Sequence, residues 1–521
     1  MISPYRNPAM SVIEQCRPMT PQHPVEIELK LSLSANQVAP FLKRMARRRS
    51  VPLQQDIVTR YFDTPDFALS SQGIALRVRK IGQRWLQTLK TEGERQGGLS
   101  RRIEYEMAIP ANTPDWNRFP VAAQARVPEV IRTQLIPLFE THFNRTTWLV
   151  SGRGGAKIEV ALDVGEVRAG TRSQPICEIE LELKAGKPDA LFELAQAWAT
   201  KLDFLPLDVS KAERGVRLAR GEIAAPMKSV PVDVRDDMRV EEGFSVIVQA
   251  CLAQFQANLP GVLASDDIDY VHQARVALRR LRAALHVFRR VCTLPDELLN
   301  GLRVLSAALG PVRDWDVLCG ETMPAIAPHF ADEGAWQFGL NVLEARRAEA
   351  RAAMRADMFQ ARPGAWLLSF QRWLIQQGWR EGSAAQHQVQ QSALKAWARR
   401  KLRKGNRLIE QGARAYAQMR PAAQHALRIT VKRQRYAAEF FVGMFVGRRQ
   451  ARYQTALQVV QESLGRINDY RVASRLLTQV GAEAGSMGAF SRGWLAACRA
   501  GDDNKGIKKQ LKNFVKWVPG W

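Results

Sequence analysis

The chain has 521 residues, of which 46% are hydrophobic and 24% charged, and its 76 Lys and Arg against 51 Asp and Glu give a formal charge of +25. This length predicts two or more domains, and the composition excludes a disordered or collagen-like chain. Such a basic balance indicates a polyanionic partner: nucleic acid, an anionic membrane or condensed phosphate. Residues 241–521 carry 41 basic and 23 acidic side chains, a net of +18, which leaves +7 for residues 1–240.

The six cysteines are scattered and form no CxxC pair, which argues against a disulfide framework or a structural zinc site and fits a reducing compartment. We find no apolar run of about 18 residues and therefore predict no membrane span. Residues 1–22 lack the apolar stretch of a signal peptide and are interpreted as an unstructured leader. These features favour a soluble cytoplasmic protein, and no pattern in the chain specifies an oligomeric state.

The first domain, residues 23–222, is rich in short strand-like segments separated by turn signals, for example residues 57–62 before Asp63-Thr64-Pro65-Asp66. Many short strands at close spacing predict a sandwich or a barrel. Helical stretches interrupt this pattern at residues 37–48 and 188–201.

The first strand alternates charged and apolar residues as Glu26-x-Glu28-x-Lys30, so these three side chains share one face. Two such carboxylates can hold one hard cation such as Mg²⁺, and the adjacent ammonium can hold an anion. The same alternation recurs on later segments. These are Arg77 and Arg79; Arg102, Glu104 and Glu106; and Glu178, Glu180, Glu182 and Lys184.

Alternation of this kind is also typical of the wet face of a half-buried antiparallel sheet. Here, however, the polar positions are almost all Glu, Arg and Lys, and the opposite face is bulky enough to need a cover of its own. A closed barrel with its charges pointing inward explains both features. Because burying many charges is costly, such a barrel would need a highly charged guest and a metal ion.

These residues carry a family resemblance. Glu26-x-Glu28-x-Lys30 resembles the signature of the CYTH superfamily, the triphosphate tunnel enzymes. Further motifs follow in the order of that family over about residues 24–220. They are Tyr61-Phe62-Asp63-Thr64-Pro65, Leu76-Arg77-Val78-Arg79, residues 158–163 with Gly165-Glu166-Val167, Glu178-x-Glu180-x-Glu182 and Ser210-Lys211-Ala212. The resemblance implies an eight-stranded antiparallel tunnel that binds triphosphate groups with Mg²⁺ or Mn²⁺.

Carried over residue by residue, the resemblance implies that Glu26 and Glu28 bind the metal together with two of Glu178, Glu180 and Glu182, and we favour the first two of these three. Glu104 and Asp163 are further candidate catalytic carboxylates beside Glu26, Glu28 and Lys30. A set of basic residues would bind the phosphate oxygens. It comprises Lys30, Arg77, Arg79, Lys90, Arg102, Arg145 and Lys211.

A linker at residues 223–239 precedes residues 240–505, where strand signals vanish and apolar residues recur at helical spacing. This part contains an internal repeat, and we place its copies at about residues 240–385 and 386–505. Residues 506–521 form a basic tail. The predicted fold class is therefore α+β multidomain, with a β tunnel followed by a duplicated all-α helical bundle.

Each copy carries a stripe of basic residues at i, i+3, i+7 and i+10, beginning at His272 and at His425. The His272 segment, together with Leu309-Gly310-x-x-Arg313-Asp314, resembles a CHAD domain over about residues 240–500, which implies binding of inorganic polyphosphate. Because the neighbours of His272 are arginines, we favour phosphate contact over a purely structural histidine or a metal ligand. The predicted polyphosphate-binding set is His272, Arg275, Arg279, Arg280, Arg282, Arg313, His425, Arg428, Lys432 and Arg435.

The leading hypothesis is metal-dependent hydrolysis of inorganic triphosphate to phosphate and diphosphate, with a polyphosphate-binding domain behind it; this domain order resembles bacterial inorganic triphosphatases. Hydrolysis of thiamine or nucleoside triphosphate, and adenylate cyclase chemistry, are alternatives within the same superfamily. A non-catalytic polyphosphate-binding protein is an alternative of another class. Nucleic acid is disfavoured as a partner, because no basic motif interleaved with aromatic residues occurs.

Overall fold

A computed structural model describes residues 25–48, 50–502, 505–517 and 521, and the predicted leader at residues 1–22 lies outside the described residues. The chain forms two compact units. The barrel unit contains the described residues up to Ala225 together with Arg362–Gly378, and the helical unit contains Pro226–Ala361 and the described residues from Trp379 onward.

Ten antiparallel strands form one sheet in the barrel unit. They are β1 (Val25–Leu33), β2 (Leu53–Asp63), β3 (Ala75–Ile81), β4 (Arg84–Lys90), β5 (Glu94–Gln96), β6 (Leu99–Ile109), β7 (Ile136–Ser151), β8 (Lys157–Ala169), β9 (Arg172–Ala185) and β10 (Phe204–Pro206). Eight of them run in the order β1-β9-β8-β7-β2-β3-β4-β6, and β6 pairs with β1 to close the barrel. This confirms the predicted antiparallel tunnel.

The barrel turns its charged faces inward and its apolar faces outward, beneath helices. Leu29 and Leu31 of β1 are fully buried in a core with residues of two covering helices, among them Phe41 and Trp198. The two interrupting helical stretches of the sequence provide this cover. The helices of the barrel unit are α1 (Val38–Met45), α2 (Ala68–Ser71), α3 (Val121–Gln124), α4 (Glu129–Arg132), α5 (Asp189–Ala199), α6 (Lys211–Arg220) and α12 (Pro363–Ile375).

Helix α12 lies within the sequence region assigned to the helical domain, yet it packs on the barrel. Leu368 is fully buried in the core that also contains the outer face of β1. Gly364 permits close approach, because a Cβ there would lie 1.8 Å from the Phe204 carbonyl oxygen of β10. The sequence boundaries, which kept residues 240–505 together, therefore differ from the compact units at this segment. The periodicity of a helix does not reveal which core will bury it.

The helical unit contains the remaining helices. They are α7 (Val240–Ala264), α8 (Ile268–Val287), α9 (Asp296–Val317), α10 (Met323–Ile326), α11 (Glu333–Ala361), α13 (Ala384–Gln390), α14 (Leu394–Ala415), α15 (Pro421–Phe440), α16 (Arg448–Val480), α17 (Gly485–Asp502) and α18 (Lys505–Val515). Helix α7 packs on α8 and α8 on α9, and α14 packs on α15 and α15 on α16 in the same order. This matched packing agrees with the predicted duplication, and α8 also contacts α15.

Helix α7 is long and apolar enough to be a candidate membrane span by length and composition, which the sequence analysis did not foresee. However, 56% of its most apolar window is buried inside the protein. Polar Asn258 of the same helix is also fully buried, and its side-chain amide donates hydrogen bonds to the Met227 and Gln254 carbonyls at 3.0 and 2.7 Å. These features are typical of a core helix of a folded unit.

Candidate functional site

The barrel encloses a cavity of about 280 Å³ that is lined mainly by charged side chains. Eight basic residues line it: Lys30, Arg77, Arg79, Lys90, Arg102, Arg145, Lys184 and Lys211. Seven carboxylates line it as well: Glu26, Glu28, Glu104, Glu106, Glu159, Glu180 and Glu182. The alternating strands predicted from sequence therefore meet around one charged space.

Glu28 is the most deeply buried carboxylate of the first strand, at 3% exposure. Its Oε1 atom lies 2.7 Å from the Lys30 ammonium, accepts a hydrogen bond from Arg102 at 2.6 Å and accepts a second from Ser100 at 3.0 Å. Burial raises the pKa of Glu28, but Lys30 and its other basic neighbours outweigh that effect and hold the pKa below its usual range. Glu28 is therefore ionised and able to bind a cation.

Glu26 and Glu104 share the Lys90 ammonium, at 2.7 and 3.0 Å. Burial raises the pKa of Glu26, and the positive charge of Lys90 does not cancel this effect. At Glu104 the positive charges of Lys90 and Arg77 outweigh the effect of burial and lower the pKa to about 2. Across β1 and β9, Glu28 stands opposite Glu182. This register brings the carboxylates of the first strand and the last long strand to one part of the wall.

A second group of carboxylates, Asp163, Glu178 and Glu180, offers oxygen atoms that lie within 4.8 Å of one another. The Lys211 ammonium already lies among them, 2.6 Å from Asp163 and 2.9 Å from Glu180, and it pairs with Glu178 as well. Arg145 makes two further hydrogen bonds to Asp163, at 2.7 and 2.6 Å. The protein's own cations therefore offset the charge of this group, as Lys30 and Lys90 do for Glu28 and Glu26.

Helix α6 positions Lys211. Ser210 and Glu213 form a capping box: the Ser210 hydroxyl accepts from the Glu213 backbone N–H at 3.2 Å, and the Ser210 N–H donates to the Glu213 carboxylate at 2.8 Å. Gly215 lets the helix approach β7, because a Cβ there would lie 2.0 Å from a ring carbon of Phe139. Lys211 is the first helical residue and is directed into the barrel.

Arg77 and Arg79 project from β3 into the cavity and differ in their partners. Arg77 lies 3.4 Å from Glu104, whereas Arg79 forms no ion pair with any described residue, and its Nε atom is buried without a hydrogen-bond partner. Burial, together with Arg77 and Arg145, lowers the pKa of Arg79 to about 10. A guanidinium that faces the cavity and forms no ion pair there is a ready contact for an anion.

The structure brings all the predicted phosphate-binding residues of the barrel to the cavity wall. Glu180 and Glu182 also line the cavity, whereas Glu178 is held by Lys211 and Arg214 outside the lining residues. Sequence reasoning did not select Glu106, Glu159 or Lys184 as site residues. Their positions two or four residues from selected side chains on the same strands were the available signal, because side chains two apart share a face.

The helical unit contains a cationic cluster made by both repeats. Its members are His272, Arg275 and Arg279 of α8, Arg313 of α9, and Arg428 and Lys432 of α15. Burial, Arg428 and Arg279 lower the pKa of Lys432 to about 8. The Nε atoms of Arg279 and Arg428 are buried without hydrogen-bond partners. The two predicted stripes therefore face each other, and their cations repel.

Other predicted members of the stripes lie elsewhere. Arg280 is 3% exposed, and its guanidinium donates to Gln254 at 2.9 Å in the core, because adjacent helical residues point about 100° apart. Arg435 donates to Gln461 at 2.8 Å and pairs with Glu439. Arg282 and His425 are exposed. The spacing of the stripes did not distinguish these environments.

Fold and site together define a two-domain protein with a charged tunnel in an antiparallel barrel, followed by a duplicated helical unit with a cationic cluster. The chain belongs to the CYTH–CHAD type of two-domain protein. The CYTH domain family model matches residues 25–216, and the CHAD domain family model matches residues 246–478.

Two curated proteins and one solved structure are similar to parts of the chain. An inorganic triphosphatase of Haemophilus influenzae is 37% identical over 200 residues, which is 37% of this chain and 54% of that protein. An uncharacterized protein of Mycobacterium tuberculosis is 27% identical over 319 residues, 57% of this chain and 59% of that protein. The chain thus matches little more than half the length of these relatives. The crystal structure of the CHAD domain from Ricinus communis has 27% identity and a TM-score of 0.50, and it covers 57% of this chain and 98% of that domain.

Proposed function

We propose that the barrel hydrolyses inorganic triphosphate to phosphate and diphosphate with the help of a divalent metal ion. The observation that carries this proposal is the charged cavity of about 280 Å³, in which the Arg79 guanidinium has no carboxylate partner among the described residues. The similarity of the barrel to the Haemophilus influenzae inorganic triphosphatase supports this choice of substrate over thiamine or nucleoside triphosphates.

A metal ion fits the charge balance of the cavity. Eight basic side chains and seven carboxylates nearly cancel, so a triphosphate with several negative charges would be poorly neutralised by the protein alone. Carboxylate oxygens are the ligands that Mg²⁺ and Mn²⁺ prefer. We infer that Glu26 and Glu28 would hold the ion together with carboxylates of β9, of which Glu180 and Glu182 line the same cavity and Glu182 stands opposite Glu28. A bound ion would neutralise charge on the phosphate oxygens.

The chain itself would bind and orient the substrate. Arg79, Arg77 and Arg145 would contact phosphate oxygens through forked N–H groups, and Lys30 and Lys90 would act as point charges. In the structure the two lysines pair with Glu28 and Glu26. Binding of the anion would give these ammonium groups a new partner and leave the two carboxylates available. Catalysis would then rest on positioning and charge stabilisation, without a protein nucleophile.

The test is a hydrolysis assay of the purified protein with triphosphate, thiamine triphosphate, ATP and long-chain polyphosphate, each with Mg²⁺ or Mn²⁺ and with a chelator. We expect metal-dependent release of phosphate, with triphosphate as the best substrate. If another triphosphate is hydrolysed faster, the assignment of inorganic triphosphate as the substrate is wrong. If no substrate is turned over with metal, the enzyme hypothesis is wrong and a receptor for polyphosphate becomes the better explanation.

We propose in addition that the helical unit binds inorganic polyphosphate at the cationic cluster. The cluster gathers cations from both repeats, and burial raises the pKa of the two nearby carboxylates, Asp314 and Asp469. Retention of long-chain polyphosphate that weakens steeply with salt would be the expected result. A cytoplasmic location stays a prediction.

A further inference from the structure

A second cationic patch lies in the helical unit, apart from the cationic cluster. It contains His286, Arg289 and Arg290 at the end of α8, Arg400, Lys401 and Lys404 of α14, and Arg433 of α15. Arg289 donates to the His286 carbonyl at 2.9 Å, and its guanidinium lies 3.0 Å from the His286 ring nitrogen Nε2. Three helices therefore bring basic groups to one surface.

Among the described residues, no carboxylate pairs with any member of this patch. The groups interact mainly with one another. Burial and the cations Arg289 and Arg290 lower the pKa of Lys401 to about 8, and burial with Arg433 lowers that of His286 to about 4. The partial negative charge at the C-terminus of a helix attracts cations, which explains in part why basic side chains occur at residues 286–290. It does not account for Lys401 or Arg433, which come from other helices.

We propose that this patch is a second anion-binding site, which extends the polyphosphate surface of the helical unit so that one long chain can occupy both sites. The proposal rests on the proposed binding of polyphosphate at the cationic cluster. Arg279 of the cluster lies on α8 and Arg289 of the patch follows its last residue, Val287. The two arginines are ten residues apart, which is about 15 Å at the rise of an α-helix. A triphosphate would engage one site, whereas a long chain would engage both.

The chemistry of the patch favours condensed phosphate over single-stranded nucleic acid. Sites for single strands combine cations with exposed aromatic rings on which bases stack. The aromatic ring beside this patch, Trp397, is 4% exposed and stacks on Phe288 with ring centroids 4.7 Å apart, and the Lys401 ammonium lies 4.9 Å from its ring centroid. The patch therefore offers charge and no described stacking surface.

The test compares full-length variants that each lose two positive charges. The patch variant is Arg289→Ala with Lys401→Gln, and its matched control is Lys509→Ala with Lys512→Ala, two exposed lysines of α18. We expect the patch variant to bind long-chain polyphosphate about tenfold or more weakly, because two contacts with phosphate groups are lost. The slope of log affinity against log salt should also fall by about 2, and the control should change little. Because the Lys401 stem packs on Trp397, Arg289→Ala with Arg433→Ala serves as a second patch variant.

Triphosphate and single-stranded RNA are the comparison ligands. Triphosphate, which the barrel binds in the proposed function, should bind equally well to the patch variants. A variant of the cluster, Arg279→Ala with Lys432→Ala, should weaken binding of long-chain polyphosphate. If patch and control variants behave alike, the second site is wrong while cluster binding stands. If RNA binds as tightly and is lost in the same variants, the assignment to polyphosphate is wrong. Absence of polyphosphate binding by the wild-type protein would overturn both proposals.

Discussion

Glu28 and Lys30, two residues apart on β1, form an ion pair of 2.7 Å inside the barrel. Both side chains are nearly inaccessible, so each charge depends on the other for its stability in the interior. The proposed substrate and metal would separate this pair by giving each member a stronger partner. The same pair therefore contributes to the stability of the barrel and would take part in its proposed chemistry.

Replacing Glu28 with Gln should abolish metal-dependent turnover of triphosphate. We expect a loss of about a hundredfold or more, because even residues that only support metal ligands are worth about 10- to 100-fold. The amide keeps the shape of the side chain and its hydrogen bonds while removing the charge. Phosphate release at saturating metal gives the readout, and Glu166→Gln, at a half-exposed ion pair with Arg168, is the matched control. Turnover close to wild type in the Glu28 variant would exclude it as a metal ligand.

Substitutions of Arg79 and Arg145 should differ in their effects: the first should weaken substrate binding alone, and the second should also lower the stability of the barrel. Replacing Arg79 with Gln removes a half-buried cation that forms no ion pair with any described residue, so we expect KM for triphosphate to rise about tenfold, from ~1.5–3 kcal/mol for a charged hydrogen bond, without loss of thermal stability. Replacing Arg145 with Gln leaves Asp163 and Glu180 short of a partner and should also destabilise the barrel, by about 3–5 kcal/mol. Thermal melts measured beside KM test this contrast, and equal destabilisation by both changes would contradict it.

Polyphosphate affinity should fall as pH rises through about 8, where Lys432 loses its proton in the free protein. A bound polyanion favours the charged form of Lys432. Above this pKa the neutral lysine must take up a proton when the polyanion binds, which weakens binding. Below this pKa the lysine is already charged, and binding carries no such cost. Replacing Lys432 with Arg, which keeps its charge, should remove the part of the profile that Lys432 contributes, whereas Lys401 of the second patch, with a pKa of about 8, keeps its own part. Dissociation constants measured from about pH 7 to pH 9.5 at fixed ionic strength would show the effect, and an unchanged profile in the variant would assign the titration to another group.

Helix α12 should stabilise the barrel unit. Arg372 donates two hydrogen bonds of 2.8 Å to the Asp189 carboxylate and a third of 2.7 Å to Glu193, both on α5. We expect Arg372→Ala to cost about 1–3 kcal/mol locally, since these bonds are charged. The loss would be seen as faster hydrogen exchange in α5 and α12. The exposed pair Arg118–Asp115 of the same unit provides the control, and Arg118→Ala should cost no more than about 1 kcal/mol.

The strand periodicity, and with it the charged face of Glu26, Glu28 and Lys30, follows from the sequence alone, because side chains alternate along a strand whatever packs around it. The duplicated helices and the basic stripes follow from it as well. The tertiary structure was needed to show that β6 closes on β1 and that Lys211 of α6 pairs with Asp163, Glu178 and Glu180. It was likewise needed to show that α12 packs on the barrel. Pairing register and long-range packing join residues far apart in the chain, and a local pattern carries no information about which of several compatible partners a face will meet.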